Sequence, residues 1–132
     1  MKMRPMLTLE DCKKISAAAE AEAKKNSWNV CIAILDDGGH LLHLARMDGA
    51  TPANARIAVE KGRTAAETRR STANWLERVG KRIVLLRMPG VTPVQGGLPI
   101  VMDGVCVGAV GISGVQSHED EQIAAAGIKA LG

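Results

Sequence analysis

Phenylalanine and tyrosine are absent from this sequence, and its only aromatic residues are Trp28 and Trp75. A core without phenyl rings must be aliphatic, with methionine filling irregular gaps. The same scarcity argues against single-stranded nucleic-acid binding, which relies on aromatic platforms for base stacking. Cysteine is also sparse: Cys12, Cys31 and Cys106 lie far apart, without C-x-x-C spacing. Unpaired thiols of this kind are expected in a reducing compartment, so the expected location is cytoplasmic. There is no stretch of about 18 apolar residues, and no cationic segment leading into an apolar one at the start, so neither a membrane span nor a signal peptide is expected. G-x-S-x-G, H-E-x-x-H, Walker and dinucleotide-binding signatures are all missing, and no metal site is expected.

What remains is the composition of an ordinary soluble globule. The chain has 132 residues, 46% hydrophobic and 23% charged, with a net charge of +3. That length suits one domain, residues 1–132, with a sizeable core. The charge is uneven. Lys61, Arg63, Arg69, Arg70, Arg78, Lys81, Arg82 and Arg87 are opposed in their stretch only by Glu67 and Glu77. Such a run is either a solvated helix face or an anion site for carboxylates or phosphates. With no recognition motif beside it, a nucleic-acid role is not expected.

The stretch Leu98 to Gly114 organises the chain. Two Val/Ile-rich runs flank Asp103-Gly104, a dipeptide suited to a two-residue hairpin turn with positive φ at both positions. Its second run carries Gly108 and Gly111, which mark a bulge or the close approach of another element. Upstream, Thr8 and Asp11 form a capping-box start for a helix that ends near Lys25. Trp28 to Asp36 and His40 to Arg46 read as a first hairpin around Asp36-Asp37-Gly38-Gly39. Thr51-Pro52 starts a second helix, with Ala55, Ala58, Gly62 and Ala65 making a small-residue face. That face, with the glycine-rich strand, suggests a homo-oligomer. Ser71-Thr72 either breaks the helix or caps a further turn, Ile83 to Met88 fits helix or strand, and Gly90 to Gln95 fits a loop or edge strand. Ser117 with Asp120 reads as the capping box of the last helix. The order is α+β, with hairpins and segregated helices.

Several ordered motifs together resemble one family. They are Arg46-Met47-Asp48-Gly49-Ala50; a small-faced helix with Ala58, Lys61, Thr64 and Ala65; Gly96-Gly97-Leu98-Pro99-Ile100; Val107-Gly108-Ala109-Val110-Gly111-Ile112-Ser113-Gly114; and Asp120. From about Leu7 to Ala130 the chain resembles the GlcG/HbpS family, the haem-degrading domain family, to which the C-terminal domain of PduO-type proteins also belongs. The resemblance implies a profilin- or PAS-like α+β fold, a five-stranded antiparallel sheet flanked by helices, and assembly into dimers or larger oligomers. It implies haem as a candidate cofactor. In some relatives the haem-binding histidine lies on the first helix; here that helix has none, only Cys12.

On the residues themselves, haem would need an axial ligand, an apolar slot and cations for its propionates. His40 and His43 fall on opposite faces of a regular strand, while His118 opens the last helix. Arg46 and Lys61 are suited to clamp a carboxylate, Arg as a planar fork and Lys as a point charge. An ion pair between Arg46 and Asp48 that orders their loop is the alternative. His118 or Glu119 could act as general acid or base. The expected ligand site therefore joins Arg46 and Asp48, Lys61, Gly96 and Gly97, with His118 and Glu119 as catalytic candidates. Two functions fit: a small-ligand-binding protein of haem-binding or haem-degrading type, and a small hydrolase, isomerase or hydratase of organic-acid or aromatic catabolism using the same pocket. A structural accessory subunit is a third.

Overall fold

The computed structural model describes all residues, 1–132, and orders four α-helices around one four-stranded sheet. Helix α1 spans Leu9–Lys25, followed by β1 (Cys31–Asp36) and β2 (Leu41–Arg46). Helices α2 (Pro52–Thr68) and α3 (Thr72–Lys81) come next, then a short 3₁₀ turn at Ile83–Arg87. Strands β3 (Gly97–Met102) and β4 (Val105–Ser113) and helix α4 (Ser117–Lys129) complete the chain. The strand order is β2-β1-β4-β3, antiparallel throughout. No helix is long and apolar enough to cross a membrane.

Local chemistry sets the element ends. The Thr8 Oγ1 accepts from the Asp11 N–H at 3.1 Å, and the Asp11 carboxylate accepts from the Thr8 N–H at 2.9 Å. This reciprocal box fixes the start of α1. Those hydrogen bonds to Thr8 also hold the Asp11 carboxyl below its ordinary value. At α3, the Ser71 Oγ accepts from the Asn74 N–H at 3.1 Å. The last helix departs from expectation: its cap is Gln116 with Glu119, one residue earlier than Ser117 with Asp120. Asp120 is withdrawn into the interior instead.

Two apolar layers sandwich the sheet. Ile32 and Ile34 of β1 join Ile15 and Ala19 of α1, Val110 and Ile112 of β4, and Ile123 of α4 in the larger core. Cys31, Ala33 and Leu35, alternating with them, face Ala58 of α2. A strand buried on both faces reads as a continuous apolar run, as β1 does. The small face of α2 is consumed inside the molecule. A Cβ added at Gly111 of β4 would overlap the Ala58 carbonyl oxygen and lie 2.5 Å from the Gly62 nitrogen. The close-approach surfaces that suggested an oligomer therefore make the α2–β4 seam.

The sheet has four strands, not five. Ile83 to Arg87 closes as a 3₁₀ turn, and Gly90 to Gln95 lies outside any ladder. Pro93 has no N–H to give a ladder, and the Thr92 N–H goes to the Thr64 Oγ1 on α2 at 2.9 Å. The first strand is also shorter than expected, beginning at Cys31 instead of Trp28.

The central hairpin turns through Asp103 at φ +51° and Gly104 at φ +77°. A β-branched residue resists that left-handed geometry, so Gly104→Val is expected to cost about 1 kcal/mol or more. Thermal unfolding followed by circular dichroism should show a melting point a few degrees lower. An unchanged midpoint would remove the turn from the determinants of stability.

Candidate ligand-binding site

A cleft of about 490 Å³ opens between the end of α1 and the end of β2. That volume lies in the range of small-molecule sites. Local backbone chemistry builds it. After α1, Ser27 adopts a left-handed conformation at φ +60°, and the Trp28 N–H returns to the Ala23 carbonyl at 2.9 Å. The Trp28 indole is thereby laid against the core at the cleft wall. Opposite, the Met47 N–H bonds the Val30 carbonyl at 3.0 Å, and the Ala50 N–H bonds the Met47 carbonyl at 3.1 Å. This turn presents Arg46, Met47 and Asp48.

Arg46 forms no ion pair and no hydrogen bond within the chain. The Arg46–Asp48 pair considered from sequence is not made. Lys24, also in the cleft, pairs only loosely with Glu20 at 3.8 Å. Across the ladder from Arg46 sits Cys31. Burial pushes the Cys31 thiol above its ordinary value, and the nearby Arg46 guanidinium pulls it only partly back. A thiol in that state is a packing group, not a nucleophile.

The remaining expected residues lie elsewhere. Lys61 and Asp120 are each only 2% exposed. The Lys61 Nζ donates to the Asp120 carboxylate at 3.0 Å and to the Ile112 carbonyl at 2.9 Å, tying α2 to β4 and α4. Asp120 also accepts from the Val115 N–H at 3.1 Å. Gly96 and Gly97 belong to this buried cluster: a Cβ at Gly96 would sit 2.8 Å from the Lys61 Nζ, and one at Gly97 would overlap the Lys61 carbonyl. The Gly97 N–H donates to the Thr72 Oγ1 at 2.9 Å. Lys61 is thus an internal cation, already neutralised, and not an open carboxylate clamp. Glu119 accepts from the Gln116 N–H at 3.1 Å as a helix cap, and His118 is exposed beside it.

The seven expected residues do share one end of the molecule. The ends of β2 and β4 and the starts of β1 and β3 lie together, with Cys31 paired to both Arg46 and Ser113. They are divided by sheet width, because β2 and β3 are opposite edges. Three strand spacings, about 14 Å, separate them. Only Arg46 and Asp48 line the cleft. Sequence reasoning missed Glu20, Lys24, Ser27, Trp28, Asn29 and Met47 as its lining. The available signal was Trp28, one of just two aromatic residues and placed directly after a helix end.

An α+β domain with a cleft of mixed charge at one end of its sheet is the class the geometry defines. Residues 7–129 match the family model described as haem degrading protein HbpS-like, and the chain belongs to that family. It is 46% identical over 114 residues to Protein GlcG of Escherichia coli strain K12, covering 86% of this chain and 85% of that protein. It superposes on the crystal structure of a double mutant of Streptomyces reticuli HbpS with a TM-score of 0.93 and 32% identity. That match covers all of this chain and 91% of the other. A solved complex of PduOC with haem is similar at a TM-score of 0.87 and 25% identity, covering 96% of this chain and 95% of that one.

Proposed function

We propose that the chain is a small-ligand-binding protein of haem-binding type that takes ligand carboxylates in the α1–β2 cleft. The observation carrying this reading is Arg46, a guanidinium without any internal partner, beside Trp28 and Met47 in the α1–β2 cleft. Its planar fork matches a carboxylate, and Lys24 offers a second cation. Membership of the HbpS-like family and the likeness to the PduOC–haem complex support haem as the ligand class.

The donor set fits part of a haem. Arg46 and Lys24 would hold propionates, and Trp28 and Met47 would meet the macrocycle. No imidazole lines the cleft; the Met47 thioether is its only soft donor. Bound haem would supply iron redox chemistry, while the protein's share is to anchor carboxylates and shield one ring face. A second reading, a small hydrolase, isomerase or hydratase acting on a carboxylated substrate, draws on Glu20 and Asp48. These carboxylates stand in the same cleft as the cations.

Haemin titration at the Soret band, run beside benzoate titration followed by Trp28 fluorescence, tests both. Arg46→Ala is expected to weaken haemin binding by about 1.5–3 kcal/mol, the scale of a hydrogen bond to a charged group. Equal affinity for both proteins would remove Arg46 as the anchor. A benzoate response without any Soret change would favour the enzyme.

A further inference from the structure

We propose that the 3₁₀ turn Ile83–Arg87 and the end of α3 dock the protein on an anionic lipid surface, without spanning it. The inference does not depend on which ligand the α1–β2 cleft takes.

The basic run of the sequence is sorted by the partners its members find. Lys61 is buried against Asp120, and Arg63 pairs with Glu60. Arg69 donates to the Asp37 and Ala66 carbonyls. Lys81 meets Glu77 at 3.3 Å in an exposed pair, which is a weak attachment. Arg70, Arg78, Arg82 and Arg87 meet no carboxylate, and Arg78 lies over the Trp75 ring at 5.2 Å. Arg78, Lys81 and Arg82 converge with Leu85 on a cleft of about 250 Å³. With three cations to one leucine, that cleft suits an anionic head group and not an apolar side chain.

Apolar side chains stand beside those cations. None of the residues Ile83–Arg87 is buried, and their turn packs chiefly against α3. Ile83 is 72% exposed, Val84 58% and Leu86 51%. A 3₁₀ turn repeats every three residues. Arg82 and Leu85 both line the cationic cleft, whereas Ile83 and Leu86 share another ridge and project into solvent. Side chains placed so can enter a bilayer interface while neighbouring arginines hold their guanidinium groups at the phosphates.

Charge and shape choose the occupant. From Thr72 to Arg87 the chain carries Arg78, Lys81, Arg82 and Arg87 against Glu77 alone. A second copy set symmetrically on this patch would bring like charges face to face. A partner helix needs a groove for its apolar stripe, and here the apolar side chains protrude. An anionic bilayer meets both halves of the patch. Trp75 is buried and supplies no aromatic anchor, so binding rests on lipid charge as well as on the two aliphatic ridges. Helix α3 packs against α2 and β3, while the ligand cleft lies by α1 and β2 at the other edge of the sheet. Docking through α3 therefore leaves that cleft open to solvent.

Vesicles of mixed phosphatidylglycerol and phosphatidylcholine should sediment the unmodified protein, vesicles of phosphatidylcholine alone should not, and raised salt should release it. Ile83→Ser with Leu86→Ser should weaken vesicle binding about tenfold or more, and Arg82→Gln with Arg87→Gln by about the same factor. All four side chains are exposed, so the far-ultraviolet spectra should match the parent. Leu9→Ser, at an exposed leucine on α1, should bind as the parent does. Hydrogen exchange on the unmodified protein gives a readout independent of variant folding: the amides of the 3₁₀ turn should slow when the anionic vesicles are added. No sedimentation, equal sedimentation with neutral lipid, or a loss through the arginine pair alone, the mark of a simple anion site, would each overturn the proposal. A lower mass by light scattering for Ile83→Ser with Leu86→Ser would put another copy on this face and overturn it too. Binding to polyglutamate as tight as to the vesicles would replace the bilayer with an acidic protein partner.

Discussion

Gly111→Ala is expected to destabilise the protein by about 3 kcal/mol or more, the upper end of the cost of overpacking a core. The added methyl would overlap the Ala58 carbonyl oxygen and meet the Gly62 nitrogen at 2.5 Å. Both are backbone atoms of α2, so no rotamer change relieves the clash, and the helix must lift from the sheet as a body. Lifting it would disturb Ala58 over β1 and strain the Lys61 reach to Asp120. Urea unfolding followed by circular dichroism measures the loss. A midpoint within error of the parent would mean that α2 does not sit on β4 as described.

Lys61→Met is expected to cost about 3–5 kcal/mol, because it leaves a buried carboxylate without its counter-charge. The double change Lys61→Met with Asp120→Asn should recover about half of that loss or more. Asparagine can still accept from the Val115 N–H and no isolated charge remains. A double variant no more stable than Lys61→Met would show that the pair is not the unit of stability. The pH dependence follows from burial, which pushes the Asp120 carboxyl above its ordinary 3.8 against the pull of the Lys61 ammonium. A carboxyl raised in the folded state favours folding most when protonated. Its contribution is therefore full below 3.8 and is lost as pH rises through the elevated folded value. The stability advantage of the parent over Asp120→Asn should shrink with rising pH across that window. An advantage that grows instead would reverse the assigned direction.

Much of the fold was legible because its signals are local. Thr8 with Asp11, Thr51-Pro52, Ser71 and Asp103-Gly104 each act within four residues, and each stands at the element end where it was read. The misplaced cap of α4 shows the limit. Ser117-x-x-Asp120 and Gln116-x-x-Glu119 overlap by one residue, and the choice is made by Lys61, remote in sequence, drawing Asp120 inward. The same partnership hid the true role of Lys61, since a lysine on a small-residue stripe reads as a free cation. The candidate site was half legible for a related reason. The end of the sheet at which the loops gather follows from strand order. Which edge holds a cleft depends on how α1 ends at Ser27 and Trp28, and nothing in the spacing around Arg46 records that. The expected fifth strand came from resemblance, and the Thr92 N–H bonded to Thr64 shows where that backbone is satisfied instead.

The two helical layers hold the sheet by different means. α2 rests backbone to backbone on β4 through Gly62 and Gly111, whereas α1 and α4 meet the sheet through branched side chains such as Ile15 and Ile123. A glycine seam has no rotamers to exchange, so α2 cannot slide by repacking and serves as the stationary frame. The isoleucine layer can trade one set of staggered conformers for another. Small displacements therefore fall to α1, whose last two turns carry Glu20 and Lys24 and lead the chain into Trp28. The wall of the cleft that can adjust to a guest belongs to the yielding layer, and Arg46 stands on the strand beside the fixed one.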